Sequence, residues 1–387
     1  MKTRPFLLAL VFLVATAACS EPLVFDDWTI PVPEGAEIIG YAHVPLEQRT
    51  EHIELIEDLV IGGDGDPRTA FYQAWGLAVD GVGNMYVMEH GNLRVQVFDP
   101  EGRYVRTLGR EGQGPGELQS PLFITVAGDS VVVIDERNVR MTRWSTVDGE
   151  LLGGDNMAEP SLEAQGLADG SLVGRHVIFH REPEFWREAS YGRYSTDGAQ
   201  MEHFITMPML PSVSISVPYS VARIAASPAG DVYITRADRY QVLAFEADGT
   251  PRWALRSSLV TAAIPPDILD TAAAQIRERQ PDWERPDNWP ERMPAIGNMV
   301  VDGHGNLYVF HYTFTPRDPY TGQPLGEAPD RRAVDVYSPN GELIAAAWSE
   351  PMGWSAAWGD YVYSIGRDPQ TEEEIVRRSR LVRSWEQ

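Results

Sequence analysis

One motif recurs along this chain, and its period limits what the chain can build. Gly76-Leu-Ala-Val-Asp80 leads to Gly83-Asn84-Met85-Tyr86-Val87, then Arg94-Val-Gln-Val-Phe-Asp99 and Gly102. The unit returns as Ile124 to Ala127, Gly128-Asp129 to Asp135, Arg140 to Trp144 and Asp148-Gly149. It returns again as Ile224 to Ser227, Gly230-Asp231 to Thr235, Gln241 to Phe245 and Asp248-Gly249. A further copy reads Met299 to Asp302, Gly305-Asn306 to Phe310, Val334 to Tyr337 and Asn340-Gly341. Two fainter copies start at Gly166 and Ala356, making six units in all.

Within each unit, short alternating apolar runs are separated by Gly-Asn, Gly-Asp or Asp-Gly pairs, the signature of strands joined by tight hairpins. Four antiparallel strands per unit, repeated radially, predict an all-β, six-bladed β-propeller. The ring needs closing, and Glu54 to Gly62 matches the outermost strand of the first unit. It is therefore expected beside Ile375 to Val382, on the last blade. The propeller is expected to occupy residues 41–387 of the 387, with the other 40 leading into it.

Residues 76–99 resemble the NHL-type propeller repeat. Gly109-Arg-Glu-Gly-Gln-Gly-Pro-Gly-Glu117 resembles the glycine-rich blade connection of a bacterial family of six-bladed propeller lipoproteins. The resemblance is strong over the first two units, moderate over the fourth and fifth, and thin elsewhere. It implies the fold and says little of function, since such propellers have mostly undefined roles.

The N-terminus reads as an export signal. Lys2 and Arg4 precede the apolar run Phe6 to Val14 and the small residues Ala15 to Ala18. Thr16-Ala17-Ala18-Cys19 resembles a lipobox, with Thr16 in place of the usual Leu. Residues 1–18 are then a lipoprotein signal peptide, Cys19 the lipidated residue and 19–40 a tether. An ordinary Ala-x-Ala cleavage is the alternative. Cys19 is the only Cys, which rules out an internal disulfide or a multi-cysteine zinc site. Ser20 resembles an outer-membrane sorting signal, which places the domain in the periplasm of a bacterial cell envelope.

Charge narrows the partners. Lys plus Arg number 32 against 56 Asp plus Glu, a net −24, and loss of the leader makes it −26. A field of that sign repels phosphate backbones, so nucleic acid is not an expected partner. Membrane contact is expected only through the N-terminal lipid. The partner is expected to be an envelope protein or a small ligand, and the chain a monomer.

Three stretches exceed the repeat: 179–190, 261–295 and 313–332. Second-to-third and blade-to-blade connections emerge on one face of a propeller, so all three decorate one rim. Ile268, Leu269, Ala272, Ala273 and Ile276 fall at helical spacing and predict a short helix between Pro265 and Arg279. Candidate binding residues on this rim are His90, Arg94, Arg137, His176, His180, Arg181, Trp186, Arg236, Trp283, Trp289, His311 and Arg367. The recurring Glu89-x-x-Asn92-x-Arg94 and Asp135-x-x-Asn138-x-Arg140 reads as architecture, because carboxylates and amides readily bond turn backbone.

No Gly-x-Ser-x-Gly elbow, His-Glu-x-x-His helix or Gly-Lys-Ser/Thr phosphate loop occurs. No catalytic residue and no cofactor is assigned, although a divalent metal remains open. Asp64 and Asp66 could offer it oxygens, with a plain turn as the simpler reading. The expected role is a binding scaffold working through the insertion-bearing face. The alternatives are a metal-dependent hydrolase or lyase in the central funnel and a purely structural envelope component.

Overall fold

The turn residues explain why each unit becomes a meander. Asp80 Oδ1 accepts the Val82 and Asn84 amides at 3.0 and 2.9 Å, and Oδ2 accepts the Tyr86 hydroxyl at 3.0 Å. Asp302 repeats this with the His304 and Asn306 amides and the Tyr308 hydroxyl. Gly83 at φ +93° supplies the left-handed residue between Asp80 and Asn84, which a side chain would disfavour.

A computed structural model describes residues 32–157, 161–180, 186–195, 201–208, 223–227, 229–235, 239–279, 281, 284, 292–313, 330–350 and 353–386. Cys19 and the leader, Arg181, Arg236, Trp283 and Trp289 lie outside them. The described residues open with β1 (Glu37–Tyr41) and β2 (Glu51–Ile61). Four meanders follow. The first holds β3 (Ala74–Val79), β4 (Met85–Glu89), β5 (Arg94–Phe98) and β6 (Tyr104–Leu108), and the second β7 (Pro121–Ala127), β8 (Ser130–Asp135), β9 (Arg140–Ser145) and β10 (Leu151–Asn156). The third holds β11 (Ser161–Gly166), β12 (Leu172–His180), β13 (Trp186–Tyr194) and β14 (Met201–Pro208). The fourth holds β15 (Arg223–Ala226), β16 (Val232–Thr235), β17 (Gln241–Phe245) and β18 (Pro251–Ser257). Helix α1 (Pro266–Arg279) sits where periodicity predicts it, with Leu269 and Ala273 buried. After it come β19 (Ile296–Val301), β20 (Leu307–His311), β21 (Arg332–Tyr337), β22 (Leu343–Ser349), β23 (Ala356–Trp358), β24 (Tyr361–Arg367) and β25 (Glu374–Arg383).

The result is a propeller-like ring of sheets. The expectation of six separate four-stranded blades needs correcting. Among the described residues there are five hydrogen-bonded sheets, four of which each contain a single meander. The fifth is eight-stranded, in the order β19-β20-β21-β22-β2-β25-β24-β23. Strand β2 causes the fusion. It pairs antiparallel with β25, Ile53 opposite Arg383 through Ile61 opposite Val376, which is the closing pairing expected from the sequence. Its first residues also pair parallel with β22, Glu51 opposite Ala347 and Ile53 opposite Ser349.

Two further differences concern boundaries. Residues 37–40, read as tether, belong to β1, which adds a fifth strand parallel to β18. Of the expected insertion at 179–190, the described residues 179–180 and 186–190 prolong a hairpin, since β12 and β13 pair from Leu172 opposite Tyr194 to His180 opposite Trp186.

First strands neighbour one another around the ring: β3 beside β7, β7 beside β11, β11 beside β15, β15 beside β19, β19 beside β23, and β23 back beside β3. Second strands β4, β8, β16 and β20 are buried along their whole length and mostly apolar; Val131, Val132 and Val133 are wholly buried, each contributing roughly 1.5–3 kcal/mol. Between the first two meanders, Tyr86, Met88, Val97, Leu118, Val131 and Trp144 form one core cluster. Backbones approach closely at Gly166, where an added Cβ would lie 1.9 Å from the Val126 carbonyl oxygen.

Candidate functional site on the insertion-bearing face

The polar hooks of the first two meanders are consumed by their own turns. Buried Glu89 takes the Arg94 guanidinium at 2.7 Å, the Tyr72 amide at 2.9 Å and the Asn92 side chain. Asp135 accepts the Gln119 and Asn138 amides at 2.6 and 3.1 Å and the Asn138 side chain at 3.0 Å. Its Arg departs from the first turn: Arg140 leaves Asp135 and donates to the carbonyls of Gln113, Gly114 and Glu117 at 3.2, 2.9 and 2.7 Å. Arg140 therefore pins the glycine-rich connection. Both turns hold a bulky residue at positive φ, Leu93 at 51° and Val139 at 47°, a strained conformation that these bonds enforce.

Among the described residues, the other candidates do not converge. His90 Nδ1 lies 3.3 Å from the Pro121 carbonyl oxygen of the second meander. Arg137 is exposed. Arg367 donates to the Glu372 carbonyl at 3.1 Å and lies 3.6 Å from Glu374. His176 is buried, its ring 5.6 Å from that of His203, which in turn meets the Ser190 hydroxyl at 2.7 Å. His180 and Trp186 face each other across β12 and β13 as backbone partners, and their side chains lie outside the described residues. Asp64 and Asp66 form a turn: Asp64 accepts the Asp66 amide and the Thr69 hydroxyl, and Asp66 pairs with Arg68.

His311 is the candidate that opens onto a network. Its Nε2 lies 2.8 Å from Asp335 Oδ2 and 3.2 Å from Arg49 Nη2. Arg49 Nη2 is 2.7 Å from Asp335 Oδ1, and the Tyr240 hydroxyl donates to Oδ2 at 2.6 Å. Arg49 also donates to the carbonyls of Val334 and Ala347, tying the N-terminal segment to β21 and β22. Burial raises the Asp335 pKa, but the His311 bond and charge and the Arg49 charge outweigh it and hold the carboxyl below the usual range. His43, its ring 5.5 Å from that of His311, is held below the ordinary histidine value by burial and by the charges of His311 and Arg49. Sequence reasoning missed Arg49 and Asp335. The available signal was an acid at the centre of the apolar run Val334 to Tyr337.

Nearer the axis, Glu163 on β11 is buried 3.6 Å from Arg175. Burial pushes its carboxyl up against the opposing pull of Arg223 and Arg175. Among the described residues, no three His, Cys, Asp or Glu gather as a metal-holding group.

The inner strands carry a recurring irregularity that the sequence did not reveal. Register shifts at Trp75 in β3, Leu122 in β7, Leu162 in β11 and Gly297 in β19, always the second residue of a first strand. Bulges re-aim side chains and are common beside sites. These lie at the insertion-face ends, because Ala74 pairs with Glu89 at the end of β4. Trp75 is 66% exposed there and Tyr72 57%, with Gln73 between them also exposed.

No family model and no curated protein matches the chain. Among solved structures it is similar to a DUF4221-family protein of Bacteroides vulgatus, at 12% identity and TM-score 0.55, covering 86% of this chain and 99% of that one. It is also similar to a Bacteroides fragilis protein described as exported, at 11% identity and TM-score 0.50, covering 89% and 99%. A Xanthomonas campestris gluconolactonase aligns at 15% identity and TM-score 0.44, covering 85% and 97%. At these identities the likeness is one of fold alone. The chain is a β-propeller.

Proposed function

We propose that this propeller is a lipid-anchored binding scaffold of the bacterial envelope, held at the outer membrane through Cys19 and facing the periplasm. It takes a protein or small ligand on the insertion-bearing face. The observation that carries this reading is Trp75, a large aromatic left exposed on a bulge of a rigid inner strand, with exposed Tyr72 on the same side. An aromatic face held by a buried sheet binds at low entropic cost. By contrast, Glu89, Asp135, Arg94 and Arg140 are spent on turns and leave little for a partner.

The proposed blade count is six. The eight-stranded sheet is then two blades joined along β2, a division supported by the closed circuit of first strands from β3 to β23. The NHL-like repeat and the likeness to propeller lipoproteins belong to the same reading.

A metal-dependent hydrolase or lyase in the central funnel is the competing class, with buried Glu163 beside two arginines as its nearest foothold. Elemental analysis of the mature protein, with melting before and after chelator dialysis, separates the two. The scaffold reading expects no stoichiometric ion and an unchanged melt. One tightly held divalent ion per chain, with a melt lowered by chelation, would replace it with the funnel enzyme.

A further inference from the structure

We infer that the tethered propeller stands with its tight-turn face towards the membrane and its insertion-bearing face turned away, so that its partner is a soluble component of the compartment and not one embedded in the same bilayer. The inference rests on the lipid-anchored reading and adds an orientation to it.

The argument follows the path of the chain. In an antiparallel meander, first-to-second and third-to-fourth turns share one face. Second-to-third and blade-to-blade connections share the other. Strand β1 runs parallel to β18, from Glu37 opposite Trp253 to Tyr41 opposite Ser257. Strand β18 begins just after the Asp248-Gly249 turn and ends at the blade-to-blade connection carrying α1. The Glu37 end of β1 therefore lies on the tight-turn side.

Contacts from three neighbours agree. A Cβ built on Gly341, in the turn between β21 and β22, would come within 2.6 Å of Ile39. Trp253, the β18 partner of Glu37, donates its indole N–H to the Pro339 carbonyl in that same turn at 3.0 Å. Val32 packs on the cluster containing Phe204, Phe245 and Ala247, beside the turn at Gly249. At the far end, Ser258 donates its amide to the Tyr41 carbonyl at 3.1 Å, and the chain then crosses the insertion-bearing side towards Arg49.

The chain thus enters on one face and works its way to the other. From Cys19 to Pro31 there are 13 residues, whose reach is at most about 45 Å. Strand β18 alone, at seven residues, extends about 23 Å. A tether leaving the tight-turn side has its shortest path to the lipid from that face and must spend at least the height of a strand on any detour around the rim, so the face it leaves is held nearer the lipid.

The test uses full-length lipidated protein in vesicles containing an acceptor-labelled lipid. Cys19 is the only Cys, and lipidation consumes its thiol, so an introduced Cys is the sole dye site. Glu101→Cys and Asp248→Cys report from the tight-turn face, and Arg137→Cys and Val260→Cys from the insertion-bearing face; all four positions are exposed. The expected result is several-fold stronger energy transfer from the first pair. Equal or stronger transfer from the second pair, with labelled lipid incorporated at Cys19, overturns the orientation and leaves anchoring intact. No lipid incorporation, with Cys19→Ala behaving as wild type, overturns both.

Discussion

The Arg49 guanidinium lies 2.7 Å from the Asp335 carboxylate, with both side chains fully buried, and the two residues come from opposite ends of the chain. Arg49 belongs to the segment between β1 and β2, so this pair fastens the ring-closing segment to the blade it crosses. Removing one partner strands a buried charge, whereas removing both does not. Arg49→Met should lower stability by about 3–5 kcal/mol in urea unfolding. Arg49→Met with Asp335→Leu should recover part of that loss. A single variant within about 0.5 kcal/mol of wild type would show that the pair does not hold the closure.

The same network sets an acid limit. The Asp335 pKa is lowered in the fold, so its stabilising contribution is complete above the unfolded Asp value and is lost as pH falls through the folded one. His43 is also lowered. In the fold it resists protonation that the unfolded chain accepts, so stability falls as pH drops below the ordinary histidine value towards the folded one. Urea midpoints should decline below about pH 6.5, and His43→Gln should flatten the first part of that decline. An identical pH profile for the variant would remove His43 from the account.

Alkaline titration probes the core directly. Burial is the leading cause of raised hydroxyl pKa values at Tyr41 and Tyr363, both pushed up to about 12, and Tyr86, Tyr240, Tyr308 and Tyr337 are raised further. Unfolded tyrosines ionise near pH 10, so the contribution of these groups is present below that pH and is lost as pH rises through the folded values. Absorbance titration of the native protein should show a large tyrosine fraction ionising only with unfolding. A single ordinary titration near pH 10 with the fold intact would contradict the packing described.

Gly166 tests a close approach between neighbouring sheets of the ring. A methyl group there would meet the Val126 carbonyl oxygen at 1.9 Å, and backbone cannot swing aside as a side chain can. Gly166→Ala should cost about 1–3 kcal/mol or more through forced separation of β11 from β7. Gly353, with nothing near its added Cβ, is the matched control and should tolerate Ala with little change.

Much of the architecture was legible because it is local. Asp80, Gly83, Asn84 and Tyr86 form one turn within seven residues, and their recurrence at Asp302, Gly305, Asn306 and Tyr308 marks the meander in the sequence itself. The β2–β25 closure was legible because both strands carry a blade-like pattern. Fusion of two meanders through β2 was not, since the parallel pairing of Glu51 to Ile53 with β22 is a backbone event with no side-chain signature. Site legibility was poorer. His311 was singled out, but its partners Arg49 and Asp335 are separated from it by distances that one sequence does not encode. Trp75 was passed over because a bulge shifts it out of the alternation that would mark it as core or surface.

The central claim is that the insertion-bearing face receives the partner. Its most direct test is photo-crosslinking in intact cells from an unnatural residue at Trp75, Arg137 or Val260 on that face, against Glu101, Asp248 or Asn340 on the tight-turn face. The account predicts a discrete adduct from the first set, lost when the crosslinker at Arg137 or Val260 is combined with Trp75→Ala, and none from the second. Adducts confined to the tight-turn face, or unaffected by Trp75→Ala, would contradict it.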